Sequence, residues 1–140
     1  MTTIDRSPGG TPGSAAEART VARDVLVSQD RPVDESVAVD VSLVVSELVT
    51  NAFRHGGGLT GFHTFVRDEA IEILVDDASE RVPAEQPRTE HGAPGGYGWP
   101  LVRRMASEVS IVPLPGGGKR IRVLIPLGPC AEKESDTAGG

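Results

Sequence analysis

Val41–Gly58, VSLVVSELVTNAFRHGGG, is the stretch whose pattern decides the fold. Val41, Val44, Val45, Leu48 and Ala52 recur at helical spacing and make one apolar stripe. Val49 and Phe53 widen it, as expected of a helix pressed against a sheet. Glu47, Asn51 and His55 stand four apart. At about 100° per residue they drift by only about 40° per step, so they line one edge of the buried face. A carboxylate, a carboxamide and an imidazole are thus presented together on a rigid element. Gly56, Gly57 and Gly58 stop the helix, because glycine takes the left-handed conformation that closes a helix end.

Taken alone, that edge is the polar border of any amphipathic helix. Its sharper reading is a metal–nucleotide site. An asparagine oxygen and phosphate oxygens are hard ligands that suit Mg²⁺. A glutamate one turn earlier can orient or deprotonate an attacking hydroxyl or water. The choice rests on whether the rest of the chain supplies a nucleotide pocket.

The chain has 140 residues, enough for one domain with a proper core. Apolar residues are 38% and aromatics only 4%, so the core must be built from Val, Leu, Ile and Ala. A net charge of −6 argues against a nucleic-acid backbone as direct partner. The single cysteine, Cys130, excludes an internal disulfide and fits a reducing compartment. No apolar run is read as a membrane span and no signal pattern opens the chain, so a cytoplasmic protein is expected.

Before the central helix, residues 1–13 are rich in Thr, Pro and Gly and read as disordered. Ser14 and Glu17 form a capping-box signature. A helix follows to about Ser28, with Ala15, Ala18, Val21, Ala22, Val25 and Leu26 inward and Arg19 and Arg23 on a solvated face. Arg31-Pro32 breaks the chain, and Asp34 is placed to cap the central helix.

After it, Leu59–Val66 and Ala70–Asp77 read as antiparallel strands joined by a turn at Arg67, Asp68 and Glu69. Ile71, Ile73 and Val75 alternate inward and Asp77 continues on their face, whereas Asp76 points the other way. A carboxylate ending a buried strand face is costly without a partner. It is either a structural cap or an acceptor for an amino group on a bound base. Glu80–Pro94 is a polar loop with three prolines. Gly95, Gly96 and Gly98 then lead into a helix with Pro100 in its first turn and Leu101, Val102 and Met105 as anchors. Such a loop offers N–H groups and a favourable dipole to phosphate, but glycine loops before helices are common. It is neither a P-loop nor a dinucleotide-binding fingerprint. Val109–Leu114 and Ile121–Ile125 read as a hairpin about Pro115–Lys119, and the segment from Gly128 to residue 140 as a disordered tail. The order predicts an α+β fold over residues 14–127, a two-layer sandwich with three helices on one face of a mainly antiparallel four-stranded sheet. The nucleotide would lie between the layers, under residues 80–98 as a lid.

SELVTNAFRHG, LVDDAS and GGYGWPLV, in this order and spacing, resemble the motifs of GHKL-type (histidine-kinase-like, Bergerat-fold) ATPases. Within them the chain resembles the small bacterial anti-sigma-factor serine kinases, across about Ser14–Leu127. The resemblance implies ATP and Mg²⁺ as ligands. By position it makes Asn51 the Mg²⁺ ligand, Glu47 the general base and His55 a residue near the nucleotide. It makes Asp77 the acceptor for the adenine amino group, Gly96 and Gly98 the lid hinges beside the phosphates, and Leu101 a further nucleotide contact. Two positions depart from the pattern: Ser79 stands where glycine is usual, and the terminal Gly-Thr motif reads Gly118-Lys119. The implied function is an anti-sigma factor that phosphorylates a serine of an antagonist protein, with a sigma factor as second partner and a homodimer left open. The alternative is a nucleotide-dependent binding switch without phosphotransfer. A detached histidine-kinase catalytic domain fits less well, since no helix resembles a phosphoacceptor hairpin and the lid is short.

Overall fold

The computed structural model describes residues 11–30, 32–55, 57–80 and 98–128. Gly96, most of the lid segment, and nearly all of the two segments expected to be disordered fall outside these residues.

Ser14 opens helix α1 (Ala15–Val27): its Oγ accepts the Glu17 N–H at 3.2 Å. Glu17 reaches back one residue further than a capping box requires, accepting the Gly13 N–H at 2.7 Å. Ala18, Ala22, Val25 and Leu26 are buried, as their spacing predicts. Arg19 is not merely solvated: it donates to Ser46 Oγ at 2.8 Å and fastens α1 to the next helix.

That helix, α2 (Glu35–His55), is the spine of the molecule. The Asp34 carbonyl accepts the N–H groups of Val37 and Ala38 at its start. Val37, Val41, Val44, Val45, Leu48, Val49 and Ala52 are buried. Phe53 is not: it is 45% exposed, so the stripe is narrower than the sequence suggests. By length and mean hydropathy (1.4) α2 could cross a membrane, contrary to the reading of the sequence, but its apolar stripe is spent on this domain's own core. Gly57 takes φ 74° and the Gly58 N–H returns to the Ala52 carbonyl at 3.0 Å, which ends the helix.

Strands β1 (Leu59–Arg67) and β2 (Ala70–Asp77) pair antiparallel through a two-residue turn, Asp68-Glu69, with φ of 53° and 65°. Positive φ at both central positions is what a tight hairpin demands. Helix α3 (Gly98–Met105) precedes β3 (Glu108–Pro113) and β4 (Lys119–Pro126). The sheet order is β1-β2-β4-β3 and every pairing is antiparallel. Phe62 and Val66 of β1, Ile71, Ile73 and Val75 of β2, and Ile121, Val123 and Ile125 of β4 form one core with the helices. Three helices and a four-stranded sheet are therefore the architecture of the described residues. From α3 the core takes Trp99 and Val102, with Met105 packed against it; Leu101 is half-buried and outside the cluster.

On the other face of the sheet, Glu72 is 5% exposed yet neutralised by Arg67 at 2.7 Å and by Arg122. Asp76 is likewise paired with Arg120 at 2.7 and 2.9 Å. That hydrogen bond raises the Arg120 guanidinium above its already high ordinary value.

Candidate nucleotide site

The C-terminal end of α2 and the end of β2 meet at a backbone bond. Ala78 N–H donates to the Gly58 carbonyl at 3.2 Å, and a Cβ on Gly57 would touch Ala78 Cβ at 3.4 Å. This junction brings the segment after His55 against the segment after Asp77, as a shared site requires. The α2 edge is also real: Glu47 and Asn51 are half-buried along it, and His55 is exposed at the last turn.

One atom of that edge is out of place in a finished core. Glu47 Oε1 is buried and has no hydrogen-bond partner among the described residues. Leaving a buried acceptor unsatisfied costs about 1–3 kcal/mol, more when it is charged. The only other such side-chain atom among the described residues is Thr64 Oγ1, on the core face of β1 opposite Ile73. Asn51, one turn beyond Glu47, makes no side-chain hydrogen bond among the described residues. No group of three or more His, Cys, Asp and Glu there could hold a metal by protein ligands alone. Mg²⁺ here would rest on Asn51, phosphate oxygens and water. That donor set fits an ion which keeps part of its hydration shell. Bound there, Mg²⁺ would neutralise phosphate charge, while Glu47 would face the attacking group.

Asp77 stands on the predicted face, opposite to Asp76, and is 4% exposed. Its carboxylate is not vacant, however. Lys119 Nζ donates to Oδ1 and to Oδ2, both at 2.9 Å, and the Ser79 N–H donates to Oδ1 at 3.0 Å. Lys119 also donates to the Ser79 carbonyl at 3.3 Å. The sequence pattern predicts Lys119 at the end of a turn. The structure starts β4 there, directly opposite Asp77 in register. Lys119, Ile121, Val123 and Ile125 alternate, and that pattern was the signal that puts the lysine on the apolar face. Gly118 makes the close approach possible: it takes φ 85°, and a Cβ there would lie 2.2 Å from the Asp77 carbonyl oxygen.

Gly98 is the first residue of α3, and Pro100 sits in the first turn, where a missing N–H costs nothing. The half-buried Leu101 is not part of the core cluster. A separate groove of about 1030 Å³ runs between α1 and α2, lined by Arg19, Leu26, Val27, Val39, Leu43 and Ser46 among others. None of the predicted site residues lines it.

The family described as histidine kinase-like ATPase domain matches residues 10–125. The chain belongs to that family. Membership of the histidine kinase-like ATPases implies ATP binding. Among solved structures, the chain is similar to the Erythrobacter litoralis EL346 blue-light activated histidine kinase, at 24% identity and TM-score 0.49 over 68% of this chain. A structure of that kinase's histidine kinase domain is similar at 22% identity and TM-score 0.48 over 81% of this chain. The likeness spans 32% of the first chain's length and 60% of the second's. No curated protein matches.

Proposed function

We propose that this histidine kinase-like ATPase domain is a cytoplasmic regulatory protein-serine kinase. It binds ATP with Mg²⁺, transfers the γ-phosphoryl group to a serine of an antagonist protein, and holds a sigma factor inactive. The observation that carries the reading is the buried Glu47 Oε1, without a hydrogen-bond partner among the described residues, one turn before Asn51. A base must face the hydroxyl whose proton it takes, so its oxygen is kept clear of intramolecular partners. Asn51 then holds the metal, His55 borders the nucleotide, and Gly96, Gly98 and Leu101 meet the phosphates and the lid side of the nucleotide. The negative net charge supports protein partners over direct nucleic-acid contact.

The test is Glu47→Gln, which keeps the shape but cannot accept the proton. A group acting in the transition state affects rate more than ground-state binding. The variant should bind Mg-ATP and its protein partners nearly normally, yet transfer phosphate about a hundredfold or more slowly in a single turnover. Wild-type rates in the variant remove Glu47 as the base.

A second reading, a nucleotide-dependent binding switch without transfer, has one observation in its favour. The base acceptor Asp77 is already engaged by Lys119. A wild-type protein that binds its antagonist with ATP but transfers no phosphate establishes this reading instead.

A further inference from the structure

We infer that Lys119 is a specificity residue that occupies the base-reading acceptor, so that the site does not prefer an amino-purine over an oxo-purine. This rests on the nucleotide site proposed above. A carboxylate has about four lone-pair positions. Three on Asp77 are taken, two by Lys119 and one by the Ser79 N–H. The three N–H bonds of the Lys119 ammonium are matched by Asp77 Oδ1, Asp77 Oδ2 and the Ser79 carbonyl. The ammonium is therefore saturated, the carboxylate keeps about one open position beside that cation, and the two side chains are 6% and 5% exposed.

A bare carboxylate discriminates between bases by charge. It attracts the N–H of an exocyclic amino group and repels a carbonyl oxygen. With an ammonium held against it, the local field is neutralised. An incoming amino group meets N–H bonds of its own polarity, while a carbonyl oxygen meets a cation. The discrimination that Asp77 alone would impose is cancelled. Neither ion can leave, since each would strand the other in the core. Gly118 and the Asp77–Lys119 register fix this arrangement in the fold rather than leaving it to a mobile side chain.

ATP and inosine triphosphate isolate the effect, because the six-position carries an amino group in one and a carbonyl in the other. Calorimetric titration of the wild-type chain with each, in the presence of Mg²⁺, should give Kd values within about threefold of one another. Lys119→Met frees the Asp77 carboxylate, and this variant should favour ATP by about tenfold or more, the worth of one hydrogen bond to a charged group. Lys119→Arg keeps a cation on Asp77 and should remain indifferent. An ATP preference of about tenfold or more in the wild type overturns the inference while leaving the nucleotide site in place. That comparison needs no variant to fold. Failure of the wild type to bind either triphosphate overturns the nucleotide site itself, and this inference with it.

Discussion

Replacing Asp77 with alanine should destabilise the protein far more than any surface charge would. The substitution removes one partner of a buried ion pair whose two contacts are both 2.9 Å. Lys119, with its side chain 6% exposed, would keep only the 3.3 Å bond to the Ser79 carbonyl. A buried charge stranded in this way costs about 3–5 kcal/mol. Ordinary domains have about 5–15 kcal/mol in total, so roughly a third of the stability is at risk. The melting temperature should fall by on the order of 10–20 °C. Thermal and urea unfolding followed by circular dichroism measure this, and the urea slope should be unchanged. Removing both charges, with Asp77→Ala and Lys119→Met together, should recover most of the loss, because no ion is left unpaired. A cost below about 1 kcal/mol for Asp77→Ala would be that of an exposed pair. It would mean that Lys119 swings into water, and the reasoning about Lys119 would fail with it.

Asp76→Ala should cost about 1 kcal/mol or less by the same unfolding assay, since Arg120 is 35% exposed and can be rehydrated. Gly118→Ala places a Cβ against the Asp77 carbonyl at 2.2 Å and forces a non-glycine residue to φ 85°; a loss of about 2 kcal/mol or more is expected in urea unfolding. Asn51→Ala should abolish measurable Mg-ATP binding in calorimetry while leaving the circular dichroism spectrum intact, because Asn51 is only half-buried and its side chain makes no hydrogen bond among the described residues.

The central helix was legible because its stripe is local: Val41 to Ala52 repeat at helical spacing, and all the valines and leucines of that repeat are buried. The facing of Asp77 was legible for the same reason, by alternation with Ile71, Ile73 and Val75. Phe53 was misjudged because the width of an apolar face depends on what covers it, which helical spacing does not record. Trp99 was missed among the glycines, and Leu101 was counted as an anchor in its place. An eight-residue helix offers too few turns to define a stripe. The partner of Asp77 lies 42 residues away, so it emerges only once the strand register is known. Its alternation with Ile121 and Val123 was visible, but a lysine at a strand end reads as turn unless its partner is in view.

The central claim is that the α2 edge at Glu47 and Asn51, with the β2 end at Asp77, binds nucleotide. Amide NMR of the wild-type chain during titration with Mg-ATP tests it most directly. The largest shifts should fall at Asn51, His55, Gly58 and Ala78, around the junction of the two segments. Val27, Val39 and Leu43, in the groove between α1 and α2, should be unaffected. Shifts confined to that groove, or none at saturating ATP, would contradict the claim.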